Sequence, residues 1–174
     1  MDETNRRIEA LKGNIRTGFA NTRHPGPDKL APHECDECRA VRDAFARMDW
    51  KTLDDALIKA NFDKLPLFSP EAFHFFLPAY MLYSLIHLNS EVGEFTVYAL
   101  TPEVQKLNEV ERKAMSSWWQ ERLKPFSQRQ MVIIYEFLDI VKIVKDEEGF
   151  RRDRGDIDLG KKQLQKFARH QQST

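Results

Sequence analysis

The amino-acid sequence predicts an all-α fold: a single compact domain of about six helices around one central apolar helix. Apolar residues recur at steps of three and four along most of the chain, the period of one helix face. A hydroxyl residue followed by proline and glutamate, a helix-start pattern, occurs at residues 69–71 and 101–103. Only residues 94–100 have strand propensity, which is too little to form a sheet.

The first third of the chain predicts three helices. The first runs from about residue 4 to residue 20, and prolines in the loop that follows end it because proline lacks a backbone N–H. The second begins near Cys35 or Asp36 and ends near Met48. The third is capped by Thr52 with Asp55. The predicted buried residues are, in order, Ile8, Leu11, Ile15 and Phe19; Val41, Phe45 and Met48; and Leu53, Ala56, Leu57 and Ala60.

The central helix is predicted to begin at Ser69, with Pro70 at its first helical position, and to end before Asn89 and Gly93. It is apolar on nearly all sides, so the other helices should surround it. Pro78 removes one backbone hydrogen bond and should kink it.

Two more helices follow, and then a change in composition. One should start at Thr101, and the other at a capping box of Ser127 with Gln130. Their predicted apolar faces are Val104, Leu107, Val110, Ala114 and Trp118, then Ile134, Tyr135, Leu138, Val141 and Val144. Residues 1–147 are therefore expected to form the helical domain, and residues 148–174 a basic, charged C-terminal tail or weakly docked helix.

Composition narrows the classes of function. Lys plus Arg and Asp plus Glu are both 27 in the 174 residues, and this zero net charge disfavours nucleic acid as the main partner. The N-terminus lacks the apolar segment of a signal peptide, so we expect a cytoplasmic protein. The apolar run of residues 72–88 contains Pro78 and two histidines, which favours a buried helix over a membrane span.

The sequence also lacks the common catalytic motifs. It contains no glycine-rich phosphate loop, no Gly-x-Ser-x-Gly elbow and no His-Glu-x-x-His pattern. Phe73, Phe76, Tyr80 and Tyr83 are spaced as a helical stripe that favours core packing over a ligand groove. Of the adjacent Trp118 and Trp119, we expect one to be buried and the other to be exposed at a contact surface.

The one distinctive motif is Pro-His-Glu-Cys-Asp-Glu-Cys at residues 32–38, which contains both cysteines. His33, Cys35 and Cys38 could supply three zinc ligands at the start of a helix. A closed structural site needs a fourth ligand, and the candidates are His24, His74, His87 or a carboxylate. Three ligands with an open position would instead indicate a catalytic zinc.

A redox site is the second interpretation of the motif. A helix N-terminus stabilises a thiolate, so Cys35 could be the nucleophile and Cys38 the resolving cysteine. Asp36 and Glu37 should oppose this effect. No strand precedes the motif as in thioredoxin-like proteins, and Arg42 occupies the place of the histidine in helical peroxidase-type proteins.

Simple packing is the third interpretation, because free cysteine is often a small buried apolar residue. His33 would then cap the helix or pack on Trp50. His74 and His87 are thirteen residues apart and point in different directions on a helix, which disfavours a joint site. His87 should meet the exposed carbonyls of the last helical turn.

Several motifs together resemble a bacterial family of small helical proteins classed as a domain of unknown function. The resemblance covers about residues 8–145 and leaves the basic tail outside. It rests on His33, Cys35, Glu37 and Cys38, then Trp50, residues 65–67, 69–73 and 76–80, and finally Phe126, Gln130, Phe137 and Leu138. The resemblance implies a helical domain and a non-random cysteine motif, and it implies no activity.

The leading hypothesis for function is a non-enzymatic module that acts through contacts with an unknown protein partner. In this hypothesis His33, Cys35 and Cys38 form a structural zinc site, and zinc is the only cofactor expected. The alternative is an enzyme that uses the same three residues as a catalytic metal site or a dithiol. The oligomeric state is not indicated by the sequence.

Overall fold

Eight α-helices make up most of residues 3–101, 108–147 and 154–171, the residues described in this computed structural model. They are α1 (Glu3–Gly18), α2 (Asp36–Phe45), α3 (Asp55–Ala60), α4 (Pro70–Ile86), α5 (Glu91–Leu100), α6 (Glu109–Leu123), α7 (Gln128–Glu147) and α8 (Arg154–Gln171). Two short 3₁₀ turns lie at Pro27–Lys29 and Leu65–Leu67, and these ranges contain no strand. The all-α prediction is confirmed, with more helices than expected.

Helix α4 is the centre of the fold, as predicted. The hydroxyl of Ser69 accepts a hydrogen bond from the backbone N–H of Ala72 at 3.1 Å, and Pro70 occupies the first turn, so the predicted start is confirmed. Most of its residues are buried, and α1, α3, α5 and α6 all pack against it. The helix ends at Ile86, with His87 as its C-cap.

Helices α1 and α7 pack against each other along much of their length. Ser127 and Gln130 form the predicted capping box at the start of α7: Gln130 N–H donates to the Ser127 hydroxyl at 3.3 Å, and Ser127 N–H donates to Gln130 Oε1 at 2.9 Å. Gln130 Nε2 also donates to the carbonyl of Gly18 at 3.1 Å. The Gln130 side chain therefore caps the start of α7 and also donates to a carbonyl at the C-terminal end of α1.

The predicted helix start at Thr101 is wrong. Thr101 is the C-cap of α5, and its N–H donates to the carbonyl of Val97 at 2.8 Å. Residues 102–107, including Val104 and Leu107, lie outside the described residues. Helix α6 begins at Glu109 instead, where Asn108 and Glu111 form a capping box with two bonds of 3.0 Å.

The predicted buried face of α6 is also wrong. Val110 is 79% exposed, and Ala114 is exposed as well. The buried residues are Trp119, Arg122 and Leu123, because only the last turns of α6 reach the core. Trp118 is 38% exposed and Trp119 is 4% exposed, so the expectation of one exposed and one buried tryptophan is confirmed.

Smaller corrections concern α2 and α3. Helix α2 ends at Phe45, which leaves Met48 outside the helix and 39% exposed. Asp54 caps α3 in place of Thr52, because its carboxylate accepts from the N–H of Leu57 at 2.7 Å. Ile58 is the buried residue of this short helix, whereas Ala56 and Ala60 are exposed.

Helix α8 lies along α7. Its residues Ile157 and Leu164 are buried, and the Lys161 ammonium is 2.6 Å from the Asp139 carboxylate of α7. The proposed division of the chain at residue 148 remains a prediction. Within the described ranges, no helix is both long enough and apolar enough to cross a membrane.

Candidate dithiol site

The two cysteines stand at the first turn of α2 and differ in exposure. Cys35 is the N-cap residue, with extended backbone (φ −73°, ψ 163°), and its side chain is exposed. Cys38 comes three residues later and is completely buried in the hydrophobic core. Both are free thiols. The helix therefore presents one sulfur to solvent and holds the second beneath it, on the core side.

The surroundings of Cys35 favour its thiolate form. The backbone N–H of Cys38 lowers the pKa of Cys35 most, followed by the Cys38 thiol, and the N–H of Glu37 lowers it further. The sulfur makes no fully formed capping hydrogen bond, so these groups act at longer range. Exposed N–H groups at a helix start carry partial positive charge, which stabilises a nearby anion.

The pKa values of the two thiols are shifted in opposite directions. Burial raises the pKa of the Cys38 thiol, and its interaction with Cys35 raises it further. An exposed thiol with a lowered pKa next to a buried thiol with a raised pKa is an arrangement of attacking and resolving cysteines. The carboxylate of Glu37 does raise the pKa of Cys35, as the sequence suggested, but it is the smallest of the influences.

Two arginines of α2 hold the segment that leads into Cys35. Arg42 donates to the carbonyls of Ala31 at 3.0 Å and His33 at 2.9 Å, and its guanidinium is 2.8 Å from the Glu34 carboxylate. Arg39 donates to the Glu34 carbonyl at 2.6 Å and also pairs with Asp36. The sequence does not indicate this support, because the carbonyls that Arg42 contacts are nine and eleven residues away and no local motif marks them.

The structure does not bring a metal-ligand set together at this motif. Cys35 and Cys38 are close, and His33 is exposed. Within the described parts of the chain, no group of three or more His, Cys, Asp or Glu side chains is arranged to hold a metal ion. The zinc hypothesis for His33, Cys35 and Cys38 remains a prediction.

His24, a candidate fourth ligand, is occupied elsewhere. Its Nδ1 accepts from the N–H of Gly26 at 3.0 Å, so Nε2 carries the proton and donates to the carbonyl of Phe45 at 3.3 Å. Phe45 ends α2, and a ten-residue helix is about 15 Å long, so His24 lies at the opposite end of α2 from Cys35.

His74 and His87 also lie in separate places. His74 is hydrogen-bonded to Gln130 Oε1 at 3.0 Å and packs edge-on against Phe126. The ring of His87 is 3.1 Å from the Asp55 carboxylate. The expected contact of the His87 ring with helix-end carbonyls is therefore replaced by a carboxylate of α3. The expectation that the two histidines do not form a joint site agrees with these separate partners.

The partly buried His74 leads us to expect that the free energy of unfolding falls in mild acid. Burial lowers the pKa of His74 below its ordinary 6.5, so the unfolded chain takes up this proton more readily than the folded chain. The lowered pKa of His74 therefore contributes stability that is fully present above pH 6.5 and is lost as the pH falls toward the folded-state pKa. Urea unfolding measures this effect. Between about pH 7.5 and about pH 5.5 the free energy of unfolding should fall less for His74→Gln than for the wild type. Equal pH slopes would contradict this.

Comparison with known proteins identifies a family and no function. A family model described as "Family of unknown function (DUF6714)" matches residues 26–167. The match includes both cysteines, all of α4 and most of α8, so it extends further into the C-terminal segment than the resemblance suggested. No curated protein and no solved structure matches the chain.

Proposed function

Because the chain belongs to this family of unknown function, its own site must indicate the activity, and we propose that it is a thiol–disulfide redox protein in which Cys35 and Cys38 alternate between dithiol and disulfide. The observation that carries the proposal is the placement of the two sulfurs: Cys35 is exposed at the N-cap of α2, and Cys38 is buried three residues later.

The proposed reaction is the two-step reduction of a disulfide substrate. The Cys35 thiolate attacks one substrate sulfur, a Cys35–substrate disulfide forms, and the other substrate sulfur leaves as a thiolate. Cys38 then loses its proton and attacks the Cys35 sulfur. The Cys35–Cys38 bond forms, and the second substrate sulfur leaves. Two electrons pass to the substrate, and the two thiol protons end on its two sulfurs.

The backbone geometry supports closure of the Cys35–Cys38 disulfide. Residues three apart in a helix have Cβ atoms about 5–6 Å apart, and a disulfide needs about 3.8 Å. Cys35 lies at the N-cap, outside the regular helix, so its side chain is not restricted to the helical spacing, whereas Cys38 is packed in the core. The arginine-bound segment of residues 31–34 limits how far Cys35 can move.

The test is the fate of each thiol when the reduced protein meets oxidised glutathione, followed by intact-protein mass spectrometry. The wild type is expected to lose two hydrogens and to carry no glutathione. Cys38→Ser should trap one glutathione on Cys35, and Cys35→Ser should stay unmodified because Cys38 is buried. A wild-type protein that remains a dithiol, or that accumulates glutathione on both cysteines, would contradict the proposal.

The zinc hypothesis predicts a different result for the same purified protein. Elemental analysis of protein purified without chelator would find about one zinc per chain, and the metal would be lost in Cys35→Ser/Cys38→Ser. The thiols of that zinc protein would react with oxidised glutathione only after chelator is added. The non-enzymatic interaction module remains the hypothesis if neither zinc nor an internal disulfide is found.

A further inference from the structure

A cavity of about 470 Å³ opens between α1, α3 and α4, away from the first turn of α2. Its volume lies in the ordinary range for small-molecule sites, about 300–1,000 Å³. The wall is mainly apolar and is formed in part by Trp50, Ile58, Leu82 and Ile86. Ile86 is 52% exposed, although it belongs to the most buried helix of the protein. The cavity thus leaves apolar surface open to solvent.

Two cationic side chains stand at the α1 side of this cavity. Arg16 and Lys51 both line it, and the Lys51 ammonium donates to the carbonyl of Ala20 at 2.8 Å. Ala20 is one turn beyond Arg16, so both positive groups are located near the end of α1. Arg16 has no ion pair among residues 3–101, 108–147 and 154–171. Lys51 keeps two of its three ammonium hydrogens for other acceptors.

The negative charge of the cavity lies on the α3 side. Asp55 lines the cavity, and its carboxylate is 3.1 Å from the His87 ring. A ligand with a single anionic group therefore has a favourable position near Arg16 and Lys51, and a second anionic group near Asp55 would be repelled. The indole N–H of Trp50 has no hydrogen-bond partner within the described part of the chain, but it is buried, so we assign it no ligand contact.

We propose that this cavity binds a small amphiphilic monocarboxylate, with its carboxylate at Arg16 and Lys51 and its apolar body against Trp50, Leu82 and Ile86. A phosphate ion would leave the apolar wall uncovered. A cationic amphiphile would be repelled by the two basic residues, and a neutral one would not use them. The site is independent of the dithiol, and its test does not depend on the cysteines.

The experiment uses decanoate as the probe, with decylamine and decanol as compounds of the same chain length. Calorimetric titration below the micelle concentration is expected to show binding of decanoate at one site and much weaker binding of the other two. Arg16→Gln and Lys51→Gln should each weaken decanoate binding by about tenfold, the effect of one lost charge-assisted hydrogen bond. The matched control Lys113→Gln, an exposed residue on α6, should leave the affinity unchanged.

Two further variants locate the site. Leu82→Trp should fill the cavity and abolish binding, with circular dichroism and the melting temperature showing that the variant is folded. Decanoate is expected to change the tryptophan fluorescence of the wild type, because Trp50 lines the cavity. Trp50→Phe keeps an apolar wall, so decanoate should still bind to this variant, but that fluorescence change should be absent. Equal affinity for decanoate, decylamine and decanol, or unchanged binding in Arg16→Gln and Leu82→Trp, would overturn the proposal.

Discussion

Replacing Arg122 by alanine is expected to lower the free energy of unfolding by about 3–5 kcal/mol, among the largest effects of any single substitution in this protein. The side chain is 2% exposed and lies near the end of α6. Its guanidinium donates to the carbonyls of Pro66 at 3.1 Å and Phe68 at 2.8 Å, and it also bonds to the carbonyl of Leu65. These carbonyls belong to the 3₁₀ turn before α4 and the residue after it.

The size of the effect follows from what alanine would leave behind. Each carbonyl loses a charged donor, and a buried acceptor without a partner costs about 1–3 kcal/mol. The guanidinium is also stacked between two rings, with its carbon 4.2 Å from the centre of Phe73 and 4.4 Å from that of Trp118. Burial lowers the pKa of Arg122 to about 9, so the group is still charged at neutral pH.

Chemical denaturation is the measurement, and two variants on α6 serve as comparisons. Arg122→Lys keeps the charge but not the planar fork, so it should lose about half as much stability as Arg122→Ala. Lys113→Ala, on the exposed part of the same helix, should change stability by less than about 0.5 kcal/mol. If Arg122→Ala unfolds at the same urea concentration as Lys113→Ala, the described contacts do not stabilise the protein.

Gly160→Val is expected to weaken the attachment of α8 and to cost about 1–3 kcal/mol. An added Cβ at Gly160 would be 2.6 Å from the Thr101 Cβ and 3.1 Å from its Cα. Thr101 is itself buried, and its hydroxyl donates to the carbonyl of Val97 at 2.8 Å, so it cannot move aside without losing that bond. Helix α8 must then shift outward.

Limited trypsin digestion and urea unfolding measure this effect. Cleavage after Lys161 and Lys162 should be faster in Gly160→Val than in the wild type, because proteolysis requires local opening of the helix. Gly13→Val is the matched control, because among the described residues no atom outside the neighbouring backbone of α1 lies within 4 Å of the added Cβ. The free energy of unfolding should therefore be unchanged or slightly higher. Identical digestion of α8 in all three proteins would show that it is not held at Thr101.

The elements that the sequence predicted well are those specified by neighbouring residues. The hydroxyl of Ser69 and the ring of Pro70 start α4 within a single turn, and Ser127 with Gln130 starts α7 in the same way. The apolar stripe of α1 is predictable from the sequence because its residues repeat at the helical period, and in the structure they face the core. Local chemistry is sufficient for these features.

The errors come from interactions between residues that are distant in sequence. Val110 continues an apolar period but is exposed, because only the end of α6 reaches the core, and Arg122 reads as a surface residue although it is buried. The helix propensity of Arg122 gives no information about its hydrogen-bond acceptors. These are buried carbonyls more than fifty residues away in the sequence. The start predicted at Thr101 failed for a similar reason, since that residue ends α5.

The two candidate sites differ in the same respect: one is marked by a local motif, and the other is formed by residues that are distant in sequence. The three-residue spacing of Cys35 and Cys38 predicts the candidate dithiol, and the sequence also indicates that Glu37 raises the pKa of Cys35. The sequence does not show that the helix N–H groups act more strongly on that pKa than Glu37 does. The cavity could not be predicted, because Arg16, Lys51 and Leu82 come from separate parts of the chain. No short motif marks such a site.

The pairing of α1 with α7 has a consequence for biosynthesis. Gly18 and Gln130, which are hydrogen-bonded, are 112 residues apart, and the Arg7–Asp139 pair spans 132 residues. A ribosome makes the chain from its N-terminus, so α1 emerges long before α7 exists. Helix α4 covers only part of its apolar face in the meantime. The aliphatic side chains of α1 are thus synthesised well before α7 can enclose them, and part of this apolar face stays exposed on the nascent chain during that interval.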